Sequence, residues 1–295
     1  MKRILITGAG SFIGEAFEQW CTRSYTDKYY IESLDMKNEK WKERSFYGFD
    51  SILHVAGIVH VSIKPSQKGI YYKVNRDLAV ETALKAKNEG VKQFVFISSI
   101  SVYGDECSIN KKRVINGETN PAPTNDYGKS KLEAENILLT FQDKDFNLAI
   151  VRSPMVYGEY AKGNYAKLSR LARIMPIFPY IENERSMIFV NNLCEFIRLL
   201  IENDETGIFF PQNKEYVNTS EMVRLIAEAH GKQIKLTTIF NPLLKLLSKN
   251  IKSLNKVFGN LVCDKSISQY KENYCVSNLS ESIKIAETNK AKTLK

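Results

Sequence analysis

The chain has 295 residues, 43% hydrophobic and 25% charged, with a formal net charge of +9 and a pI near 9.1. This is a globular composition, and it excludes fibrous, low-complexity and disordered classes. No apolar run approaches the length of a membrane-spanning helix, and five widely spaced cysteines without a Cys-x-x-Cys pair argue against a disulfide framework or a zinc site.

An odd set of scattered thiols points to a reducing compartment, so a cytoplasmic protein is expected. Three histidines leave a metal centre few ligands, and none is expected. The apolar run Ile4–Ile6 is far too short for a signal-peptide core. A positive balance suits nucleic acid, an anionic membrane or a phosphorylated substrate. Here the excess lies largely in scattered lysines such as Lys245, Lys249, Lys252 and Lys256, which read as a solvated surface, so no nucleic-acid partner is expected.

In chain order, Ile4–Ile6 reads as a buried strand and Phe12–Ser24 as a helix with apolar spacing. Tyr29–Leu34 and Ile52–Ala56 are strands, and Val74–Lys87 is a helix. Phe94–Ile97 is a strand, Lys131–Phe141 lies on a helix, and Leu148–Val151 is a strand. Short, wholly apolar strands alternating with helices predict right-handed βαβ units and a parallel sheet covered on both faces. The expected class is therefore α/β, a Rossmann-type doubly wound parallel sheet. After Tyr157 the pattern loosens, although Val190–Ile201 still reads as an αβ continuation and Glu221–His230 as a helix. We expect residues 1–156, with about 185–210, to form the dinucleotide-binding domain. Residues 157–184 and 211–295 are expected to form a smaller α/β substrate-binding lobe. Leu243–Val257 sets leucines among lysines, which suits either a membrane-surface helix or a lobe helix packing its leucines inward; the second is the expectation.

The first strand runs into Thr7-Gly8-Ala9-Gly10-Ser11-Phe12-Ile13-Gly14 and then a helix. Glycines allow a tight turn and close approach of backbone to a pyrophosphate, and a helix N-terminus supplies amides and partial positive charge. Gly8, Gly10, Ser11, Phe12, Ile13 and Gly14 are the candidate cofactor loop. Asp35, at the end of the second strand, can take both adenosine ribose hydroxyls and favours NAD. Lys37, two residues on, leaves NADP open.

Tyr127 and Lys131 stand four residues apart, on one face of a helix. An ammonium beside a phenol favours the phenolate, so Tyr127 can move a proton at a substrate hydroxyl as hydride moves at the same carbon. The strand Phe94–Ile97 ends in Ser98-Ser99-Ile100-Ser101-Val102-Tyr103-Gly104, where a serine hydroxyl can polarise the reacting oxygen.

Together with His54-Val55-Ala56-Gly57-Ile58-Val59-His60, Val74-Asn75 and Arg152-Ser-Pro-Met-Val-Tyr-Gly158, these stretches resemble an extended short-chain dehydrogenase/reductase of the NAD-dependent epimerase/dehydratase family, over nearly the whole chain. The resemblance implies Ser99, Tyr127 and Lys131 as catalytic residues, with Ser101 as a second substrate hydroxyl. It implies Val55, Ala56, Gly57, Asn75 and Ser98 as cofactor-lining positions, and Pro154, Met155 and Val156 beside the nicotinamide. Asn164 and Arg185 resemble residues that hold the pyrophosphate of a UDP-sugar, and a guanidinium suits that contact. A homodimer is also implied. Two departures stand out: Ser11 replaces the usual glycine, and the segment from Asp35 to Asp50 is short enough to lose the third strand.

The family's 4,6-dehydratases carry an Asp-Glu pair where this chain has Ile100 and Ser101, which sets that reaction aside. A 4-epimerase and a 4-keto reductase share the remaining cluster; resemblance to reductases of UDP-4-keto-6-deoxy-N-acetylhexosamines in cell-surface polysaccharide synthesis tilts the expectation toward the reductase. The alternative from another class is a non-catalytic relative that senses dinucleotide or binds RNA; such relatives commonly lose the tyrosine or lysine, and both are present here.

Overall fold

A computed structural model of the chain describes residues 1–59, 69–104 and 107–293. His60, the last residue of the matched His54–His60 stretch, lies outside the described residues. The elements are β1 (Lys2–Thr7), α1 (Phe12–Ser24), β2 (Tyr29–Leu34), β3 (Ser51–His54), α2 (Gly69–Tyr72), α3 (Leu78–Asn88), β4 (Gln93–Ser99), β5 (Arg113–Ile115), α4 (Asp126–Leu139), β6 (Asn147–Ser153) and β7 (Met155–Tyr157). Then follow α5 (Asn164–Ile174), β8 (Ile177–Pro179), β9 (Met187–Phe189), α6 (Val190–Glu202), β10 (Gly207–Phe209), α7 (Thr219–Ala229), β11 (Lys235–Thr237), α8 (Asn241–Leu247), α9 (Lys252–Phe258), β12 (Leu261–Cys263) and α10 (Leu279–Thr293).

Two compact units emerge. The first comprises Met1–Asp105, Asn120–Ser153 and Leu193–Pro211. Its six-stranded sheet has the order β10-β6-β4-β3-β1-β2, and every neighbouring pair is parallel. The chain steps outward from β1 to β2, then returns to place β3 on the other side of β1. The carboxyl ends of β1 and β3 therefore flank the point where the strand order reverses, the crevice in which such sheets bind ligands.

Alternation along the strands separates the two faces. Leu5, Ile52, Phe94, Phe96, Leu148 and Ile150 face a cluster closed by Ala79, Ala83 and Ala86 of α3 and by Ala134 and Leu138 of α4. Alanines on α3 let that helix lie close to the sheet. Trp20 Nε1 on α1 donates to Glu195 of α6 at 2.9 Å, and the OH of Tyr25, which caps the end of α1, donates to the same carboxylate at 2.8 Å, pairing those two helices.

The family's third strand is missing among the described residues. Between β2 and β3 the chain makes a single 3-10 turn, Glu39–Glu43. Trp41, Phe46 and Phe49 from this stretch are buried in the α3–α4 cluster, and the Trp41 and Phe46 rings stack at 6.5 Å. Three aromatic side chains thus cover apolar surface next to β2.

The second unit comprises Glu106–Thr119, Pro154–Asn192 and Gln212–Lys295. It holds three parallel two-stranded pairs, β7 with β9, β8 with β11, and β5 with β12. Residues 106–119 contribute β5 to it, a segment whose sequence pattern gave no sign of a strand. Helices α5, α7 and α10 meet at the fully buried Glu287, which accepts from Tyr165 OH at 2.7 Å and Ser169 Oγ at 2.8 Å and bonds His230 Nε2 at 2.8 Å. The leucine–lysine segment departs from expectation. It forms two short helices, α8 and α9, and Leu243, Leu246 and Leu247 face water rather than the interior.

Replacing Phe46 by alanine removes the most deeply buried of the side chains standing in for the missing strand. A loss of about 3 kcal/mol in unfolding free energy is expected from denaturant titration. A loss under about 1 kcal/mol would show that the aromatic turn does not substitute for it.

Candidate active site

Gly8 ends β1 at φ +123°, and a Cβ there would lie 2.7 Å from the Ala56 amide nitrogen. Only glycine lets the first turn approach the end of β3 so closely. The turn is fastened on both sides. The amides of Gly8 and Ala9 donate to Leu34 O, while those of Val55 and Ala56 donate to Thr7 O. Ser11, the departure from the family pattern, sits at φ −83° in extended backbone and accepts from the Gly14 amide at 3.3 Å. Serine therefore fits this position without strain and caps α1. The cap takes the Gly14 amide and leaves those of Phe12 and Ile13 to an incoming anion. Asp35 follows Leu34 directly; its exposed carboxylate accepts from the Lys37 amide at 3.0 Å, a turn that fixes it at the end of β2. A glycine cradle, a helix N-terminus and this carboxylate fit a nicotinamide dinucleotide.

The catalytic candidates gather at the carboxyl end of β4. Ser99 caps the 3-10 turn Ile100–Tyr103, with its Oγ accepting from the Ser101 amide at 3.1 Å. Gly128 packs helix α4 against that turn: a Cβ would fall 2.4 Å from Ser101 O. The helix that carries Tyr127 and Lys131 is thus held against the strand end that carries Ser99. Asn125 caps α4, accepting from the Gly128 amide at 2.8 Å. Tyr127, half-buried, meets Tyr71 edge to face at 6.4 Å.

One turn further along α4, Lys131 is 4% exposed. Its ammonium donates to Ile97 O at 2.8 Å and lies 4.4 Å from the centre of the Phe96 ring. Burial lowers its pKa from 10.5 to about 8, with Glu135 pulling the other way. Beside it, a Cβ on Gly57 would lie 3.5 Å from Lys131 Nζ and 3.1 Å from Asn75 Oδ1. His54, at the end of β3, is kept neutral. Burial drops its pKa to about 3, and Nδ1 hydrogen-bonds Thr7 Oγ1 at 2.8 Å.

Two cofactor-lining candidates act inside the protein. Asn75 lies in the π-helical turn Lys73–Asp77 and is fully buried. Its amide accepts from Ile58 N at 2.8 Å and donates to Ile58 O at 3.0 Å and Ser130 Oγ at 3.2 Å, joining the segment after β3 to α4. Ser98 turns its hydroxyl inward to donate to Glu135.

Glu135 and Arg152 form a pair the motifs did not reveal. Glu135 is fully buried on α4, and Arg152 on β6 donates to it through Nη2 at 2.6 Å and Nε at 3.1 Å. Arg152 Nη1 also donates to Tyr103 OH at 2.6 Å. One ion pair therefore connects β4, β6, the turn after β4 and α4. The signal was present, since Glu135 stands four residues after Lys131 and Arg152 opens a matched stretch. Neither showed in sequence that the other would neutralise it.

The second unit holds the remaining candidates. Asn164 is the first residue of α5, and Arg185 donates to Lys256 O at 3.0 Å and Gly259 O at 3.2 Å. Both line a cavity of about 140 Å³ with Met155, Lys167, Thr219 and Lys256. Lys167 and Lys256, which sequence reading did not single out, add two cations to Arg185. A helix N-terminus and three cations suit an anion such as a diphosphate. Pro154 is buried and Val156 half-buried, at and next to the start of β7 in this same unit.

A reversing parallel sheet with a glycine cradle, and a buried lysine one turn beyond a tyrosine, define a nicotinamide-dependent α/β enzyme. The chain belongs to the NAD-dependent epimerase/dehydratase family, whose model matches residues 4–210. It is 34% identical over 253 residues to a UDP-glucose 4-epimerase of Vibrio cholerae, covering 78% of this chain and 76% of that protein. It is 26% identical over 302 residues to an N-acetyl-alpha-D-glucosaminyl-diphospho-ditrans,octacis-undecaprenol 4-epimerase of Escherichia coli O157:H7, covering 96% and 88%. Similar solved structures include a dTDP-4-dehydrorhamnose reductase from Clostridium acetobutylicum, with TM-score 0.74, 18% identity and coverage of 98% and 99%. A UDP-glucuronic acid 4-epimerase from Bacillus cereus in complex with NAD gives TM-score 0.72 and 15% identity, covering 99% of each chain.

The glycines yield a paired prediction. Gly8→Ala should weaken NAD(H) binding at least tenfold by fluorescence titration, whereas Gly128→Ala should leave binding within a few-fold and lower turnover at least tenfold. Equal effects of the two on binding would refute the division of roles. Lys131 gives a pH signature. Below pH 8 both folded and unfolded chains hold its proton, and between pH 8 and 10.5 the folded chain releases it first, so its burial penalty fades as pH rises. Relative to Lys131→Met, the wild-type protein should gain about 3 kcal/mol of unfolding free energy across that window. Parallel stability profiles would show the ammonium to be solvated.

Proposed function

We propose that the protein transfers hydride at C4 of a UDP-sugar, and that 4-epimerisation is its reaction. The observation that carries this reading is the joining of Ser99's strand end to the helix of Tyr127 and Lys131, beside the glycine cradle. When bound, NAD would supply the acceptor for a hydride from C4 and its return to the opposite face of the ring, which inverts that carbon. Tyr127 takes the proton of the C4 hydroxyl and gives it back. Ser99 hydrogen-bonds the same oxygen, and the Lys131 ammonium favours the phenolate of its neighbour. Asn164, Lys167, Arg185 and Lys256 hold the diphosphate, which makes the second unit the site of substrate recognition. Two relatives, which span 78% and 96% of the chain, are 4-epimerases, and this favours epimerisation over a single reduction. We place the enzyme in the cytoplasm as a homodimer supplying cell-surface polysaccharide precursors, in keeping with its five free cysteines and the family resemblance.

The test is incubation of purified protein with UDP-glucose, UDP-N-acetylglucosamine and their galacto isomers, without added cofactor. Interconversion of one pair is expected, and Tyr127→Phe should slow it by about 10²–10⁴-fold. Turnover confined to a 4-keto sugar, with stoichiometric consumption of NAD(P)H, would replace the epimerase by the reductase. Full activity of Tyr127→Phe would overturn the mechanism in either form.

A further inference from the structure

We propose that the second unit carries a peripheral docking surface for an anionic lipid bilayer, built from the segment that runs from β11 through α8 to α9. The argument begins in the sequence. From Ala229 to Cys263 there are six lysines, at 232, 235, 245, 249, 252 and 256, and neither aspartate nor glutamate. The structure adds the apolar half. Ile239 is 82% exposed, Leu243 56% and Leu246 61%, and Phe240, Leu247 and Ile251 are exposed beside them. Leu243, Leu246 and Leu247 fall at i, i+3 and i+4 on α8, one face of a short helix. Lys245 and Lys249 stand exposed among them.

Large apolar side chains left in water among unopposed lysines are the signature of a segment that lies in a membrane interface, with its leucines below the headgroups and its ammonium groups among the phosphates. Adsorption is the mode, because no helix among the described residues is long and apolar enough to cross a membrane. The same chemistry disfavours the other occupants. In a two-fold interface between copies the patch would meet itself, setting lysines against lysines with no acid between them. Single-stranded nucleic acid wants aromatic platforms, and Phe240 is the one aromatic among these exposed apolar residues. Lys256 and Val257 of α9 also line the cation-rich cavity, so the docking surface and the cavity share a helix.

The experiment is flotation of the full chain with vesicles of phosphatidylglycerol and phosphatidylcholine, and with pure phosphatidylcholine, at low and high ionic strength. No sugar substrate or cofactor is needed, so the outcome is independent of the proposed reaction. The wild-type chain should float with the anionic vesicles, sink with the neutral ones and lose binding as salt rises. The double variant K245E/K249E should partition about 25-fold less, from roughly fivefold per lysine near an anionic surface. L243S/L246S should also lose binding, with both variants keeping the wild-type melting temperature and circular-dichroism spectrum. Wild-type protein that stays with the soluble fraction overturns the proposal, as do variants that bind undiminished. Loss of a dimer by L243S/L246S in sedimentation, without vesicle binding by wild type, would assign the face to a second copy and equally overturn it.

Discussion

Charge held out of water at the carboxyl edge of the sheet is the constraint on which the site depends. Lys131 and Glu135 lie one turn apart on α4, and both are buried. Each finds a partner fixed by a strand. Lys131 donates to Ile97 O on β4, while Glu135 receives Arg152 from β6 and Ser98 from β4. An unpaired buried charge is strongly destabilising, so α4 has little freedom to slide or rotate on the sheet. A pair of this kind adds little stability over apolar side chains of the same size. What it supplies is alignment. Tyr127 is carried on a helix whose register against Ser99's strand is set by ionic contacts.

Glycine provides the complementary condition. Gly128 and Gly8 are positions where a methyl group would collide with backbone, at Ser101 and at Ala56. The first lets the helix reach the strand end, and the second lets the cofactor turn reach β3. Asn75 then closes the third side, bonding the segment after β3 to Ser130 of α4. Ionic pairing, backbone contact and a buried amide thus act on the same helix from different neighbours.

The second unit shows a different balance. It holds charge in two ways: buried where it joins helices, as at Glu287, and at the surface, as in the pairing of Arg224 with Glu221. Lys167, Arg185 and Lys256 stand among apolar side chains such as Leu168, Leu171 and Met187 around a cavity of about 140 Å³. The net charge of +9, which sequence alone could attribute only to a basic surface, acquires locations: one part lines that cavity and another interleaves with exposed leucines on α8.

The sequence by itself determined most strands and helices of the first unit, the glycine turn and the Tyr127–Lys131 spacing, though not the edge strand β10 or the short helix α2. These are local features: α1 and β2 run Phe12–Ser24 and Tyr29–Leu34, as the apolar spacing indicates, because each is written into consecutive residues. Elements made by pairing across the chain were less visible. Three-residue strands such as β5 carry no period to read, and the segment from 243 to 257 could not reveal whether its leucines would find a core. Only the tertiary structure decided that Ser98 and Asn75 face inward, that Arg152 neutralises Glu135, and that Lys167 and Lys256 join Arg185 around one cavity. The reason is physical: partnership between charges and close approach of backbones depend on distances between residues far apart in sequence, and those distances exist only once the chain has folded.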